Sequence, residues 1–281
     1  MLTTLVDPAT LKRHLDDPDW IVLDVRHELT EPAWGEEEYR EEHIPGARFL
    51  HLDRDLSAPK TGRNGRHPLP SAAAAAATFG AAGVDATKQV VVYDQGPGAY
   101  AARCWWMLRW LGHEAVAVLD GGFDRWMRER RPITGEVRPI VPARFPARES
   151  LPVVGADEVL AELVRDASTI VLDARSPERF RGETEPFDPV AGRVPGATNR
   201  PVAQNLAKDG TFKPAAALRA ELAAALGAHD AARAIHMCGS GVTACHNMLA
   251  MEIAGLPSGR LYAGSWSEWC ADPARPVAKG P

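Results

Sequence analysis

Ile170-Val171-Leu172-Asp173-Ala174-Arg175 repeats Ile21-Val22-Leu23-Asp24-Val25-Arg26 at a distance of 149 residues, and the chain organises itself around that recurrence. Working outward, His43-Ile44-Pro45-Gly46-Ala47 returns as Arg193-Val194-Pro195-Gly196-Ala197 at an offset of 150. Val91-Val92-Tyr93-Asp94 aligns with the run that ends at Cys238, and Gly121 with Trp126 aligns with Gly264 with Trp269. Four landmarks in the same order mean two copies of one domain.

Each copy alternates strand and helix. In the first, residues 20–25, 90–93 and 115–119 are short apolar runs suited to buried strands. Residues 99–111 have helical apolar spacing with Gly112 as a C-cap, and the six alanines 72–77 suit a helix interior. The expected class is α/β, with a mainly parallel sheet in each copy and helices on both faces. Residues 1–130 form the first domain and 151–281 the second. The stretch 131–150, broken by Pro132, Pro139, Pro142 and Pro146, is expected to be an extended linker. Residues 1–8 and 272–281 read as tails.

The chemistry points to Ile235-His236-Met237-Cys238-Gly239-Ser240-Gly241-Val242-Thr243-Ala244-Cys245-His246-Asn247. An apolar lead, a loop of small residues and a helix start would turn backbone N–H groups inward beside a positive helix end, forming an anion cradle. A cysteine at its mouth is placed to react as a thiolate, the nucleophilic form. The competing reading, a buried structural thiol, fits most cysteines, but the glycines and hydroxyls around Cys238 favour the nucleophile. His236 should point away from the cradle on a regular strand and is read as structural.

Cys-Gly-Ser-Gly-Val-Thr-Ala, residues 238–244, resembles the active-site loop of rhodanese-type sulfurtransferases, in the form typical of those that use 3-mercaptopyruvate. Tyr39-x-x-x-His43-Ile44-Pro45-Gly46-Ala47 and Tyr262-x-Gly264-Ser265-Trp266-x-Glu268-Trp269 are similar to the two signatures that bracket that family. The resemblance implies tandem rhodanese-like domains and ping-pong sulfur transfer through a Cys238 persulfide. Backbone amides of Gly239, Ser240, Gly241, Val242, Thr243 and Ala244 would cradle the sulfur. The partners implied are a small-molecule sulfur donor and a thiophilic acceptor such as cyanide, a small thiol or a reduced protein thiol.

The same resemblance carries Arg179, in Pro177-Glu178-Arg179-Phe180-Arg181-Gly182, to a role in holding the donor carboxylate. The family's second arginine has no counterpart by motif, and Arg181 and Arg193 are the candidates to replace it. An Asp, His and Ser set for proton handling maps to Asp53, His67 and Ser240. Residues 54–66, which separate Asp53 from His67, are rich in glycine and basic residues. The first copy has Asp94 where the second has Cys238, and it should be catalytically silent, because a carboxylate cannot accept a sulfane sulfur.

A net charge of -5 gives no sign of a nucleic-acid or membrane partner. Cys104, Cys238, Cys245 and Cys270 form no C-x-x-C pair, so no metal, cofactor or disulfide framework is expected. Cys104 and Cys270 read as inert thiols, and Cys245 as packed inside its helix. No targeting segment is expected from residues 1–11, which suits a cytoplasmic protein. Oligomeric state has no sequence signal.

Three alternatives stay open. A thiosulfate:cyanide sulfurtransferase would share Cys238 but normally carries cations where this chain has Gly239 and Ser240. A phosphatase of related architecture would need an arginine closing the loop, and Ala244 stands there. A non-catalytic tandem module for sulfur carriage or protein binding would not need so complete a nucleophile loop.

Overall fold

A computed structural model describes residues 1–165 and 169–280 of the chain. Each repeat forms a five-stranded parallel sheet. The first contains β1 (Leu5–Val6), β2 (Trp20–Asp24), β3 (Arg48–Phe49), β4 (Gln89–Tyr93) and β5 (Val116–Leu119), in the order β1-β5-β4-β2-β3. The second contains β6 (Val153–Val154), β7 (Val171–Asp173), β8 (Thr198–Asn199), β9 (Ile235–Met237) and β10 (Arg260–Tyr262), in the equivalent order β6-β10-β9-β7-β8. Every residue of central strands β4 and β9 is buried, so both faces of each sheet are covered. That is why β4 reads as a near-continuous apolar run rather than an alternating one.

The repeat extends to side chains. Arg26 grips Asp24 and donates to the Glu42 carbonyl, while Arg175 grips Asp173 and donates to the Gly192 carbonyl, both pairs fully buried. Removing one partner of such a pair strands a charge in the core at a cost of about 3–5 kcal/mol. Trp126 and Trp269 each donate Nε1–H to a proline carbonyl, of Pro132 and Pro276, at 2.8 Å.

Contrary to the expectation of tails, the N-terminal stretch supplies an edge strand of the first sheet and the C-terminal stretch makes an isolated antiparallel bridge. Leu5 and Val6 pair with Val118 and Leu119, and Ala278 bridges to Arg193. A two-residue edge strand has too few positions to show a period, which is why sequence pattern misses it. Residues 135–150 contain no helix or strand, as their prolines require; their amides cap neighbours instead, Arg148 on Leu111 and Ser150 on Trp110.

By contact the chain divides into two units. The first comprises residues 1–58, 70–151 and 208–212, and the second 59–69, 152–207 and 213–281. The segment 59–69 therefore belongs to the second unit although it lies within the first repeat in sequence.

In the first unit the position equivalent to the nucleophile fills its own cradle. The buried Asp94 carboxylate accepts from the amides of Gly96, Gly98, Tyr100 and Ala101 at 2.8–3.2 Å, and occupies the helix start at residues 99–110. Among the described residues no helix is long and apolar enough to cross a membrane.

Candidate active site

Cys238 follows β9 directly, and the helix Thr243–Ile253 opens five residues later. The turn between them depends on Gly241, whose φ of +75° and close approach to the Ala263 carbonyl exclude a side chain. This geometry points amides at the sulfur: Gly241 N lies 3.1 Å and Ser240 N 3.4 Å from Cys238 Sγ. Cys238 is only 2% exposed, so these contacts act away from bulk water. Val242 and Ala244 are buried against the helix start, and Cys245 donates its S–H back to the Gly241 carbonyl at 3.3 Å.

The backbone of Cys238 is fixed from the 262–266 corner. Its N–H donates to Ser265 Oγ at 3.1 Å, its carbonyl accepts from Trp266 N–H at 3.0 Å, and Ser265 Oγ donates to the Tyr262 carbonyl at 2.9 Å. Ser265 is fully buried and has a left-handed φ of +53°. Strain of this kind persists where surrounding contacts hold it.

Segment 59–69 brings His67 to the loop. His67 Nδ1 lies 2.8 Å from Ser240 Oγ in a buried hydrogen bond whose direction follows the imidazole tautomer. Asp53 belongs to the first unit, where its N–H donates to His51 Nδ1 at 3.0 Å.

Charge is concentrated beside Gly239. Arg179 donates from Nε and Nη2 to Glu185 at 3.2 and 2.7 Å, and Arg175 Nη1 reaches the same carboxylate at 3.4 Å. Arg66 pairs with Asp188, which also lies 3.5 Å from Arg179. Burial works against the Arg175 cation, but Asp173, Glu185 and the Cys238 sulfur together raise its pKa and keep it charged. Burial, helped by Glu185, pushes the Asp188 carboxyl up against the opposing pull of Arg66 and Arg179.

The arrangement brings together Cys238, its loop, Ser240, His67 and Arg179. Arg181 and Arg193 have other engagements: Arg181 pairs with Glu183 through two hydrogen bonds at 2.7 and 2.9 Å, and Arg193 lies over the Phe180 ring and donates to the Gly280 carbonyl. Arg66 and Ser265 are the residues that sequence reasoning missed. The signal for Ser265 was present, since it occupies the repeat position of Gly122, a glycine with φ of +59°. Cys104 and Cys270 are buried thiols; burial raises both, Cys270 to about 11, which leaves them unreactive at neutral pH.

Comparison with known proteins matches the model of the rhodanese-like domain twice, at residues 7–129 and 156–272. The chain is 45% identical over 278 residues to a probable 3-mercaptopyruvate sulfurtransferase of Pseudomonas aeruginosa, covering 98% of each chain. It is 35% identical to mouse thiosulfate sulfurtransferase, covering 94% of this chain and 90% of the relative. Among solved structures, the 3-mercaptopyruvate sulfurtransferase SseA of Escherichia coli superposes with a TM-score of 0.81 at 31% identity, covering 94% of this chain and 99% of the other.

Proposed function

The chain belongs to the rhodanese family in both of its repeats, and from that premise we propose that it is a sulfurtransferase that takes sulfur from 3-mercaptopyruvate and passes it through Cys238 to a thiophilic acceptor. The observation that carries the reading is the Cys238 sulfur held under the amides of Ser240 and Gly241, with His67 bonded to Ser240 beside it.

In the first half-reaction the Cys238 thiolate attacks the donor sulfur, the carbon–sulfur bond breaks, and its electrons pass to carbon as the enolate of pyruvate. The proton released as the new persulfide ionises balances the proton that the enolate takes up. His67 and Ser240 supply a relay for that transfer at neutral pH. The loop amides stabilise the anionic outer sulfur; one oriented donor in a comparable hole contributes about 3 kcal/mol. In the second half-reaction the acceptor attacks the outer sulfur, the sulfur–sulfur bond breaks and the Cys238 thiolate leaves. Cyanide and small thiols are suitable acceptors, as is a reduced protein thiol. The four buried free thiols suit a reducing cytosol.

Thiosulfate is the second reading, and one observation favours it. Gly239 and Ser240 bring no cation to the loop, but Arg66 and Arg179 overhang Gly239 from other segments. Glu185 and Asp188 offset that charge, which leaves a mouth better matched to a monocarboxylate than to an inorganic dianion.

The test compares kcat/KM for 3-mercaptopyruvate and thiosulfate with cyanide as common acceptor, alongside intact-mass measurement after donor treatment. Wild type should gain one sulfur, lost on reduction, and Cys238→Ser none. A persulfide that persists in Cys238→Ser sinks the scheme, and a higher kcat/KM for thiosulfate moves the assignment to the second reading.

A further inference from the structure

Residues 65, 66 and 67 are held one after another against the catalytic loop and the 264–267 corner beside it. Gly65 lies so close to Gly264 that a Cβ would stand 2.8 Å from the Gly264 carbonyl oxygen. The Arg66 amide donates to Ser267 Oγ at 2.9 Å, and the Ser267 amide donates to the Gly239 carbonyl at 2.9 Å. His67 then bonds Ser240. With its backbone held in this way, the Arg66 side chain reaches a definite place on the loop.

That place is directly over Gly239. A Cβ built on Gly239 would lie 3.0 Å from Arg66 Nη2, and 3.2 and 3.3 Å from Nη2 and Nη1 of Arg179. Two guanidiniums from segments far apart in sequence converge on the one residue that follows the nucleophile and carries no side chain. Both are braced from behind. Asp188 holds Arg66 through Nη1, Glu185 holds Arg179 through Nε and Nη2, and the Phe187 ring lies 5.3 and 5.1 Å from their central carbons. Of the three guanidinium atoms near Gly239, Arg66 Nη2 and Arg179 Nη1 make no hydrogen bond to any described residue, while Arg179 Nη2 is held by Glu185.

We propose that Arg66 is a donor-binding residue, and that its Nη2 edge together with Arg179 receives the carboxylate of the sulfur donor at the mouth of the Cys238 loop. The inference rests on the sulfurtransferase reading above and names the second cation of its donor site. A carboxylate is planar with two acceptor oxygens, and two guanidinium edges meeting at an angle can each take one, which a single arginine tied to Glu185 cannot do alone. Arg181 and Arg193 are placed elsewhere, the first paired with Glu183 and the second over the Phe180 ring with Nη1 on the Gly280 carbonyl. Glycine at 239 suits the pairing, because a side chain there would crowd both guanidinium tips.

Pyruvate, the carboxylate left once sulfur has departed, is the probe. Calorimetric titration should show Arg66→Gln binding pyruvate about 10- to 100-fold more weakly than wild type, the range for losing a hydrogen bond between charged groups. Arg66→Lys should recover part of the loss, because it restores charge without the planar fork. With 3-mercaptopyruvate the Arg66→Gln defect should appear in KM, while persulfide formation at saturating donor stays near the wild-type rate. Gly239→Ala, which fills the point both guanidiniums face, should weaken pyruvate as well, and it keeps the idea testable should Arg66→Gln fold poorly. An unchanged pyruvate Kd in either variant, or no pyruvate binding by wild type, overturns the assignment. Wild type that binds pyruvate in an Arg66-dependent way yet loads no sulfur on Cys238 from 3-mercaptopyruvate would leave the Arg66 site standing and remove the donor reading.

Discussion

Nδ1 of His67 lies 2.8 Å from Oγ of Ser240, although 173 residues separate them. Both are buried, at 2% and 6% exposure, so the pair works in a low-dielectric setting where a proton relay is not short-circuited by water. The bond is made within the second unit, because segment 59–69 leaves the first repeat to join it.

If this pair serves the enolate, His67→Ala should lower 3-mercaptopyruvate turnover about a hundredfold, within the usual range for a lost acid-base group. Thiosulfate turnover should fall much less, because sulfite leaves as a stable anion without a proton. Steady-state rates with both donors make the comparison. Equal losses would assign His67 to packing, and no loss would remove it from the chemistry.

What the sequence discloses follows from what each feature depends on. Buried parallel strands are dictated locally, so β2, β4 and β5 and their counterparts stand out as apolar runs, and the repeat assigns the rest. The Cys238 loop is equally local, since its turn needs Gly241 and its helix start needs small residues. The convergence of Arg66 and Arg179 on Gly239 has no local signature; it depends on where a glycine-rich segment docks. Arg193 shows the reverse case. It stands where the first repeat has His43, and the fold uses it the same way, its amide bonded to Ala278 as that of His43 is to Thr134. A position that looked available for substrate is committed to holding the chain end.

His236 supplies a pH-dependent term. It is fully buried on β9 with no hydrogen-bond partner among the described residues at either ring nitrogen, and burial lowers its pKa from 6.5 to about 4. Above pH 6.5 the histidine is neutral in both states and its contribution is intact. As pH falls from 6.5 toward 4 the unfolded chain takes a proton that the folded chain refuses, and stability drops by on the order of 3 kcal/mol across that window. His236→Leu should flatten this part of the profile. Guanidinium titrations of both proteins at pH 7 and pH 5 test it; wild type should lose about 2 kcal/mol more than the variant between the two. Parallel losses would mean that the histidine is solvated in the native state.

Ser265 tests whether backbone strain serves the nucleophile. The first repeat has Gly122 at this position, with φ of +59°, and the amide of its neighbour Phe123 bonds the Asp94 carbonyl at 2.9 Å, just as Trp266 bonds Cys238. The carbonyl contact is thus common to both repeats. The bond from the Cys238 amide to Ser265 Oγ belongs to the second repeat, and it is obtained by keeping a serine at φ of +53°, where a non-glycine residue is strained by about 1–3 kcal/mol. Ser265→Gly relieves that strain while freeing the amide, and the two effects are of similar size, so its stability should stay within about 1 kcal/mol of wild type. Ser265→Ala keeps the strain and loses the bond, and should be destabilised by about 1–3 kcal/mol. Both should form the Cys238 persulfide about tenfold more slowly in single turnover, because a mobile nucleophile backbone loses its alignment with the donor sulfur. The glycine variant decides the matter, since its stability is preserved. If it forms the persulfide at the wild-type rate, Ser265 has no positioning role and its strain has some other origin.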